Sequence, residues 1–430
     1  MPKRGDGGRG GRESGDGGRG DGSRGTGKFG MGVVVGAFVD PIGYGGVLVG
    51  SASRSAFVSD RANTMFLPRL GLLLFLGFSF WTAQAAAQTR GYASISGQVI
   101  DTESRRPLAD AHVFITSSMI GSVTDADGRF RLDRVPAGGH RLYVSMLGYA
   151  PARVDTFFAA NTSYQIAFTL QSTILEGPEV IVSAERDPAW YRRLRKFTRL
   201  FIGESPNAAE CEIENPEVLS FDSRWWGKLT AQAREPLVIS NHALGYRITY
   251  FLEEFEAAGG TIRYDGEPLF EAMNPPDTAR AEEWMEARKK AYAGSFRHFM
   301  QSLLDGTYRD EGFRVHRRYN VDGGLYSGDL FGFNPNGILE HDSTSQENVL
   351  DFHGYIDIVY EPEPADIEFA RWQHGSRWHA PREQRSLIKL TDGPTRVDVL
   401  GEVLDPYGVT VYGHFAYERT ADLVPKEYEP

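Results

Sequence analysis

From Ala93 to Ala184 the chain reads as short apolar–polar alternations separated by turn residues. Ser94-Ile-Ser-Gly-Gln-Val-Ile-Asp101 repeats with period two, the pattern of a half-buried strand. Pro107 and Asp110 interrupt the chain before a second run, Ala111–Thr116. Gly121–Thr124 then enters Asp125-Ala-Asp-Gly128 and leaves through Arg129–Leu132, which predicts a hairpin because glycine accepts the positive φ of the turn. After Pro136-Ala-Gly-Gly139 come Arg141–Ser145, Gly148-Tyr149, Tyr164–Leu170 and Glu179–Ser183. About seven strands without a helical stretch predict a β-sandwich over 93–184.

Past Asp187-Pro188 the period changes. Trp190–Phe201 sets Tyr191, Leu194, Phe197 or Thr198, and Phe201 along one helical face, with basic residues elsewhere. Such a helix either lies on a membrane or partner surface or docks as a linker helix on the following domain; the acidic surroundings favour docking. Strands are predicted at 218–221, 229–233, 237–240 and 245–252. A hairpin of 261–264 and 269–270 turns at Asp265-Gly266, and further strands follow at 312–315, 354–360, 386–390 and 397–404. A helix is expected from about Thr278 to Leu304, weakened or broken at Gly294. The whole reads as mainly β: a seven-stranded N-terminal β-sandwich, then a larger α+β domain over 185–430.

Ahead of these elements, residues 1–30 contain 13 glycines interleaved with Arg and Asp, too little apolar surface to bury. Residues 31–64 show neither helical period nor strong strand alternation. Met65, a candidate translation start, is followed by Arg69 and the 12-residue apolar run Leu70–Trp81. That run fits a signal-peptide core and is shorter than the ~20 residues that span a bilayer. Ala85-Ala86-Ala87 before Gln88 supplies a small-x-small cleavage site, with Ala83-Gln84-Ala85 as its alternative. The expectation is a disordered leader over 1–64, a signal peptide over 65–87 and an exported mature chain with no transmembrane helix, placed in the periplasm, at the outer membrane or outside the cell. The 430 residues carry a net charge of −11; without residues 1–87 it falls to near −15. This acidity argues against nucleic acid as partner. The single cysteine, Cys211, excludes an intramolecular disulfide and a cysteine-based zinc site.

The stretch "ISGQVIDTESRRPLADAHVFI…GSVTDADGRFRLDRVPAGGHRLYVSMLGYAP" resembles the carboxypeptidase-regulatory-like domain, a transthyretin (prealbumin)-like sandwich. The likeness rests on Gly97, Val99, Asp101, Pro107-Leu108, Ala111, Val113, Thr124-Asp125, Asp127-Gly128, Phe130, Ser145, Gly148 and Tyr149. It implies a non-catalytic module without peptidase residues. "PLVISNHALGYRITYFLEEF", "ARKKAYAGSFRHFMQSLLDGTYRDEGF" and "GHFAYERTADLVPKEYEP" resemble the region of unknown function that accompanies this sandwich in envelope proteins of Bacteroidota-type bacteria. The resemblance implies a cell-envelope setting and lends no mechanism.

Chemistry-bearing groups are sparse. Arg288, Tyr292, Ser295 and His298 share a broad helical face, and Ser295 and His298 sit at i, i+3, the seed of a hydrolase reading. No G-x-S-x-G elbow supports it. Asn241-His242 reads as a turn between strands that can contact a ligand. These six are the candidate ligand-contact residues. Neither H-E-x-x-H nor H-x-x-E occurs, so no metal site is expected, and no P-loop or dinucleotide fingerprint points to a cofactor. Position 12 of an EF-hand counted from Asp125 is Pro136, which favours a turn over calcium. Trp225-Trp226, Trp372 and Trp378 offer flat rings for a sugar platform or for a core. The balance is a binding protein for an envelope protein or a glycan, with a hydrolase or a dedicated carbohydrate-binding protein as alternatives.

Overall fold

The computed structural model describes residues 32–35, 91–173, 187–223, 227–319, 329–332, 334–342, 347–374, 383–405 and 407–430. The signal-peptide segment, the strand expected at 179–183, Trp225, Trp226 and Trp378 lie outside them.

A short strand, β1 (Gly32–Val35), precedes the sandwich. The sandwich has seven described strands: β2 (Tyr92–Asp101), β3 (His112–Ile115), β4 (Gly121–Val123), β5 (Arg129–Pro136), β6 (Gly138–Ser145), β7 (Ala152–Phe158) and β8 (Ser163–Leu170). One sheet has the order β5-β2-β8, with β2 and β8 parallel, and the other β4-β3-β6-β7. Ile95, Val99, Val113, Ile115, Leu142, Val144 and Phe168 fill the space between them. The predicted Asp-Gly hairpin is a crossover instead, since β4 and β5 belong to different sheets. The Asp125 carboxylate accepts the N–H groups of Asp127 and Arg129 at 3.0 and 2.8 Å, so the turn itself uses that side chain. Strand β7 escaped the sequence reading because Arg153 and Asp155 interrupt its apolar pattern.

The larger part contains α1 (Pro188–Phe201), β9 (Cys211–Ile213), β10 (Leu219–Ser223), β11 (Leu229–Ala233), β12 (Leu237–Asn241), β13 (Tyr246–Ala258) and β14 (Thr261–Ala272). Next come α2 (Thr278–Tyr292), α3 (Phe296–Asp305), β15 (Phe313–Arg318), β16 (Phe331–Gly332), β17 (Leu339–Asp342), β18 (Glu347–Leu350) and β19 (Tyr355–Tyr360). The chain ends with α4 (Ile367–His374), β20 (Gln384–Leu390), β21 (Thr395–Val397), β22 (Val409–Gly413) and α5 (His414–Tyr417). A large sheet runs β10-β11-β13-β14-β1-β22-β20-β19-β15-β16, with β12 on β13 and β9 on β12; β17-β18-β21 form a small one.

Two expectations change here, and the break expected at Gly294 is found. The β13–β14 hairpin turns at Gly259-Gly260, both at positive φ (59° and 85°), the demand of a two-residue turn. Asp265 and Gly266 lie within β14, opposite a register shift between Leu252 and Glu254. This bulge moves the buried face of β13 from Tyr246, Ile248, Tyr250 and Leu252 to Phe255 and Ala257. The expected 278–304 helix breaks at Gly294 (φ 73°), where a Cβ would meet Gln384 Oε1 at 2.4 Å. Finally, the strand expected at 397–404 is a tight return. Its Asp398 carboxylate accepts the N–H groups of Leu400 and Glu402, both at 2.9 Å.

Helix α1 docks on the larger part, with Phe197, Leu200 and Phe201 buried while Tyr191 stays 47% exposed. The Phe197 ring lies 4.8 Å from Phe255, and Phe201 lies 4.9 Å from Tyr250. Residues 419–428 then tie the pieces together. Arg419 donates to the Leu200 carbonyl, and Thr420 Oγ1 donates to Phe201 O at 2.8 Å. Arg297 donates to Pro425 O at 2.7 Å, and the Lys426 N–H reaches Ser117 O in the sandwich at 2.8 Å.

The opposite face of β13 meets the sandwich, where Phe251 stacks on Phe114 at 5.0 Å and lies 5.6 Å from Tyr143. Truncating Phe251→Ala empties this contact and is expected to cost about 3–5 kcal/mol. Calorimetry should then show the sandwich and the larger part unfolding in separate transitions, where the wild type shows one.

Candidate functional site

The break at Gly294 positions three of the candidate residues. Ser295 is the N-cap of α3, its Oγ accepting the His298 backbone N–H at 3.1 Å. The His298 Nδ1 accepts the Gly294 N–H at 3.0 Å, so the ring proton sits on Nε2, which donates to Glu311 Oε2 at 2.7 Å. Burial lowers the pKa of this imidazole, with Glu311 opposing the shift. Tyr292 packs 4.8 Å from the ring and donates its hydroxyl to Gln301 Oε1 at 3.2 Å. A general base must face its nucleophile with a nitrogen lone pair. Here both imidazole nitrogens hold the helix joint, and the hydrolase reading of Ser295 and His298 loses its geometry.

Arg288 works elsewhere. Its Nε and Nη2 donate to the carbonyls of Leu244 and Gly245 at 2.7 and 3.1 Å, and its guanidinium sits 4.1 Å over the Tyr246 ring. Asn241 is fully buried, donating to Ala421 O at 2.9 Å and accepting the Leu244 N–H at 3.0 Å. Both residues shape the loop between β12 and β13. His242 is exposed on that loop, at an open cleft of about 500 Å³ lined also by Met273, Asp277, Arg280, Glu283 and Trp284. Arg280 is paired with Glu210 and Glu283, and Trp284 Nε1 donates to His242 O at 2.7 Å. Trp372 packs 5.5 Å from Tyr417 and 6.1 Å from Phe369, half-buried against the core. No group of three or more metal-ligating side chains occurs among the described residues.

The densest charge lies at the junction, which sequence reasoning missed. Arg141 on β6 binds Asp155 on β7 at 2.7 Å and Glu267 on β14 at 3.6 Å. Arg153 on β7 pairs with Glu253 and lies 3.7 Å from Asp265, while the Tyr143 hydroxyl donates to Glu253 at 2.7 Å. Burial raises the Glu267 pKa to about 7, against the pull of Arg141 and with a push from Glu402. Beside this lies buried Lys426, 3.0 Å from Asp398 and 3.4 Å from Glu402. Its burial disfavours the ammonium, yet the two carboxylates hold its pKa above the ordinary value. Asp265 and Glu267 share one strand face with Leu269, the one signal that could have marked this surface as covered.

Residues 95–182 match the family model of the CarboxypepD_reg-like domain. This segment is a CarboxypepD_reg-like domain. Its outer sheet, β4-β3-β6-β7, is the one that carries Arg141, Tyr143 and Arg153 into the junction. No curated protein matches the chain. Among solved structures, a chain of a type II cohesin–X-dockerin complex from Acetivibrio cellulolyticus is similar at 19% identity, over 19% of this chain and 58% of that one, with a TM-score of 0.17. The chain thus spans less than two thirds of that relative. Klebsiella pneumoniae 5-hydroxyisourate hydrolase is similar at 17% identity, over 19% of this chain and 91% of that one, TM-score 0.17. The minor pilin GBS52 of Streptococcus agalactiae is similar at 14%, over 22% and 48%, TM-score 0.17. At these scores the fold of the CarboxypepD_reg-like domain rests on its own strands.

Two substitutions test these assignments. Ser295→Ala removes a helix cap and should lower stability by about 1 kcal/mol in denaturant unfolding, while Ser295→Asp, another good cap, restores it. For Glu267, protonation in the folded state persists up to about 7, against 4.5 for the unfolded chain. Its stabilising contribution is therefore complete below the unfolded pKa and lost as the pH rises through the folded one. Glu267→Gln removes this loss. The stability of the variant relative to wild type should rise by about 3 kcal/mol between about pH 4 and pH 8, as read by denaturant titration at each pH.

Proposed function

We propose that this chain is an exported cell-envelope protein in which a non-catalytic CarboxypepD_reg-like sandwich and an α+β body act as one rigid unit that binds another protein or a glycan. The observation that carries this reading is the domain match at 95–182, on a sandwich whose outer sheet is tied to the rest of the chain by ion pairs of Arg141 with Glu267 and of Arg153 with Glu253 and Asp265. Binding by a rigid surface needs such a frame, because ordering a loose one would consume interaction energy.

Export is supported by the apolar run Leu70–Trp81 and the small residues before Gln88. The cleft at His242 supports recognition of a polar ligand, since His242, Asp277, Arg280 and Glu283 bring hydrogen-bonding groups to an open surface. No helix among the described residues is long and apolar enough to cross a membrane.

The test is the N terminus of the protein made in a Gram-negative host. Intact mass of periplasmic material should correspond to a chain beginning at Gln88. Cytoplasmic material that retains residues 1–87 would remove the export reading. In the same host, envelope crosslinking followed by mass spectrometry should give crosslinks from the His242 cleft, and their absence from that cleft removes it as the binding surface.

A further inference from the structure

Strands β14 and β22, helices α2, α3 and α5 and residues 418–426 border a cavity of about 200 Å³. Its wall is mostly apolar: Tyr264 and Phe270 come from β14, Val409 and Val411 from β22, Phe296 from α3 and Phe415 from α5. Core side chains ordinarily pack without voids of this size. A concave apolar chamber with a few polar groups is instead the usual form of a small-molecule site. Six charged residues also line it: Arg297, Glu402, Glu418, Arg419, Asp422 and Lys426.

Five of the six are committed within the chain. Arg297 donates to the carbonyls of Pro425, Lys426 and Tyr428, and Arg419 to those of Leu200 and Ala416. Lys426 pairs with Asp398 and Glu402, and Glu402 also accepts the Ser117 hydroxyl. The Asp422 carboxylate accepts the Ser205 hydroxyl, the Asn207 amide and the Arg419 N–H at 2.8, 2.9 and 3.2 Å. Glu418 is the exception. Its side chain is 16% exposed, and its ionisable neighbour within 4 Å is His414, whose Nδ1 lies 3.5 Å away. That imidazole is buried, and burial together with Lys290 lowers its pKa to about 4, so it brings no positive charge at neutral pH. Its Nδ1 has no hydrogen-bond partner. Burial, and then Asp422, Asp366 and Glu363, push the Glu418 carboxyl well above the usual carboxylate range. What Glu418 lacks within the chain is a cation, and a buried carboxylate is costly without one.

We propose that this cavity binds a small primary amine, with the ammonium on Glu418 and an alkyl or aryl body among Tyr264, Phe296, Val411 and Phe415. At roughly 30 Å³ for each water-sized group, the cavity admits about seven non-hydrogen atoms. An amine of that size supplies the positive charge, brings N–H donors to the carboxylate and buries its carbon atoms against the apolar wall. An anionic head would meet Glu418 and Asp422, and a neutral one would leave the carboxyl without a counter-charge. The assignment goes beyond recognition of a protein or a glycan and does not depend on export.

The probes are hexylamine, hexanol and hexanoate, which share a six-carbon chain and differ at the head, titrated into the full chain by calorimetry. Hexylamine should bind with a Kd of about 1 mM or lower, and the other two at least about tenfold more weakly. Glu418→Gln keeps the size of the side chain and an N–H able to face His414, and removes the charge. It should lower the affinity of hexylamine to that of hexanol, a loss of at least about tenfold. Ala291, buried on α2, borders the cavity, and Ala291→Leu should weaken hexylamine by at least about tenfold by occupying its space. Wild-type protein that binds no hexylamine, or binds hexanol or hexanoate as tightly, overturns the proposal. So does a folded Glu418→Gln protein with unchanged affinity for the amine. Should either variant lose the melting transition of the wild type, the comparison of the three heads on wild-type protein still decides. Nα-acetyl-lysine amide carries the same ammonium on a peptide-like body. Binding tighter than that of hexylamine would make the ligand a lysine side chain of a polypeptide and overturn the assignment to a free amine.

Discussion

Two guanidinium groups on the outer sheet of the sandwich set the terms for the rest of the molecule. Arg141 and Arg153 project toward Glu253, Asp265 and Glu267 on β13 and β14. Moving such charges out of water costs several kcal/mol per ion unless each finds its counter-charge in good geometry. The arrangement is therefore stringent: with the sandwich displaced, Glu267 loses its nearest cation and Arg141 keeps only Asp155. Phe114, Tyr143 and Phe251 fill the apolar centre of the same contact, so ionic matching sets the register while ring packing supplies the cohesion. A module that looks detachable by its strand pattern is held as a wall of the larger fold.

Most strands of the sandwich were legible because an inner face of Ile, Val and Leu alternates with an outer polar face. That same rule hid the junction. Arg141, Arg153 and Asp155 read as a solvated face, and only the facing strands show that it is covered. The turn at Asp265-Gly266 was misplaced for a related reason: glycine in a strand marks a bulge partner as readily as a reversal, and Gly259-Gly260 carried the stronger hairpin signal. The candidate helix face was legible as a place where Tyr292, Ser295 and His298 meet. Their task was not, because Glu311, which takes the second imidazole nitrogen, lies thirteen residues beyond His298 in the turn between α3 and β15. Arg288 and Asn241 likewise satisfy carbonyls of one loop and of the distant 419–428 segment, partners that no local spacing reveals.

The polar groups at these places share one character: they close on one another. A joint whose hydroxyl, imidazole and phenol are each committed to a partner ties α2, α3 and the turn that follows α3 to one another. The large sheet carries the contrast. Its helices and junction are over-determined by several contacts each, whereas the union of its two halves passes through a four-residue strand.

The segment 419–428 has a bearing on the order in which the chain can fold. It reaches α1, the β12 loop, α3 and the sandwich, elements separated from it by between about a hundred and three hundred residues. A ribosome delivers these clients long before the segment that secures them. The growing chain thus dwells in a partly assembled state until this segment emerges, with contacts of long sequence separation forming last.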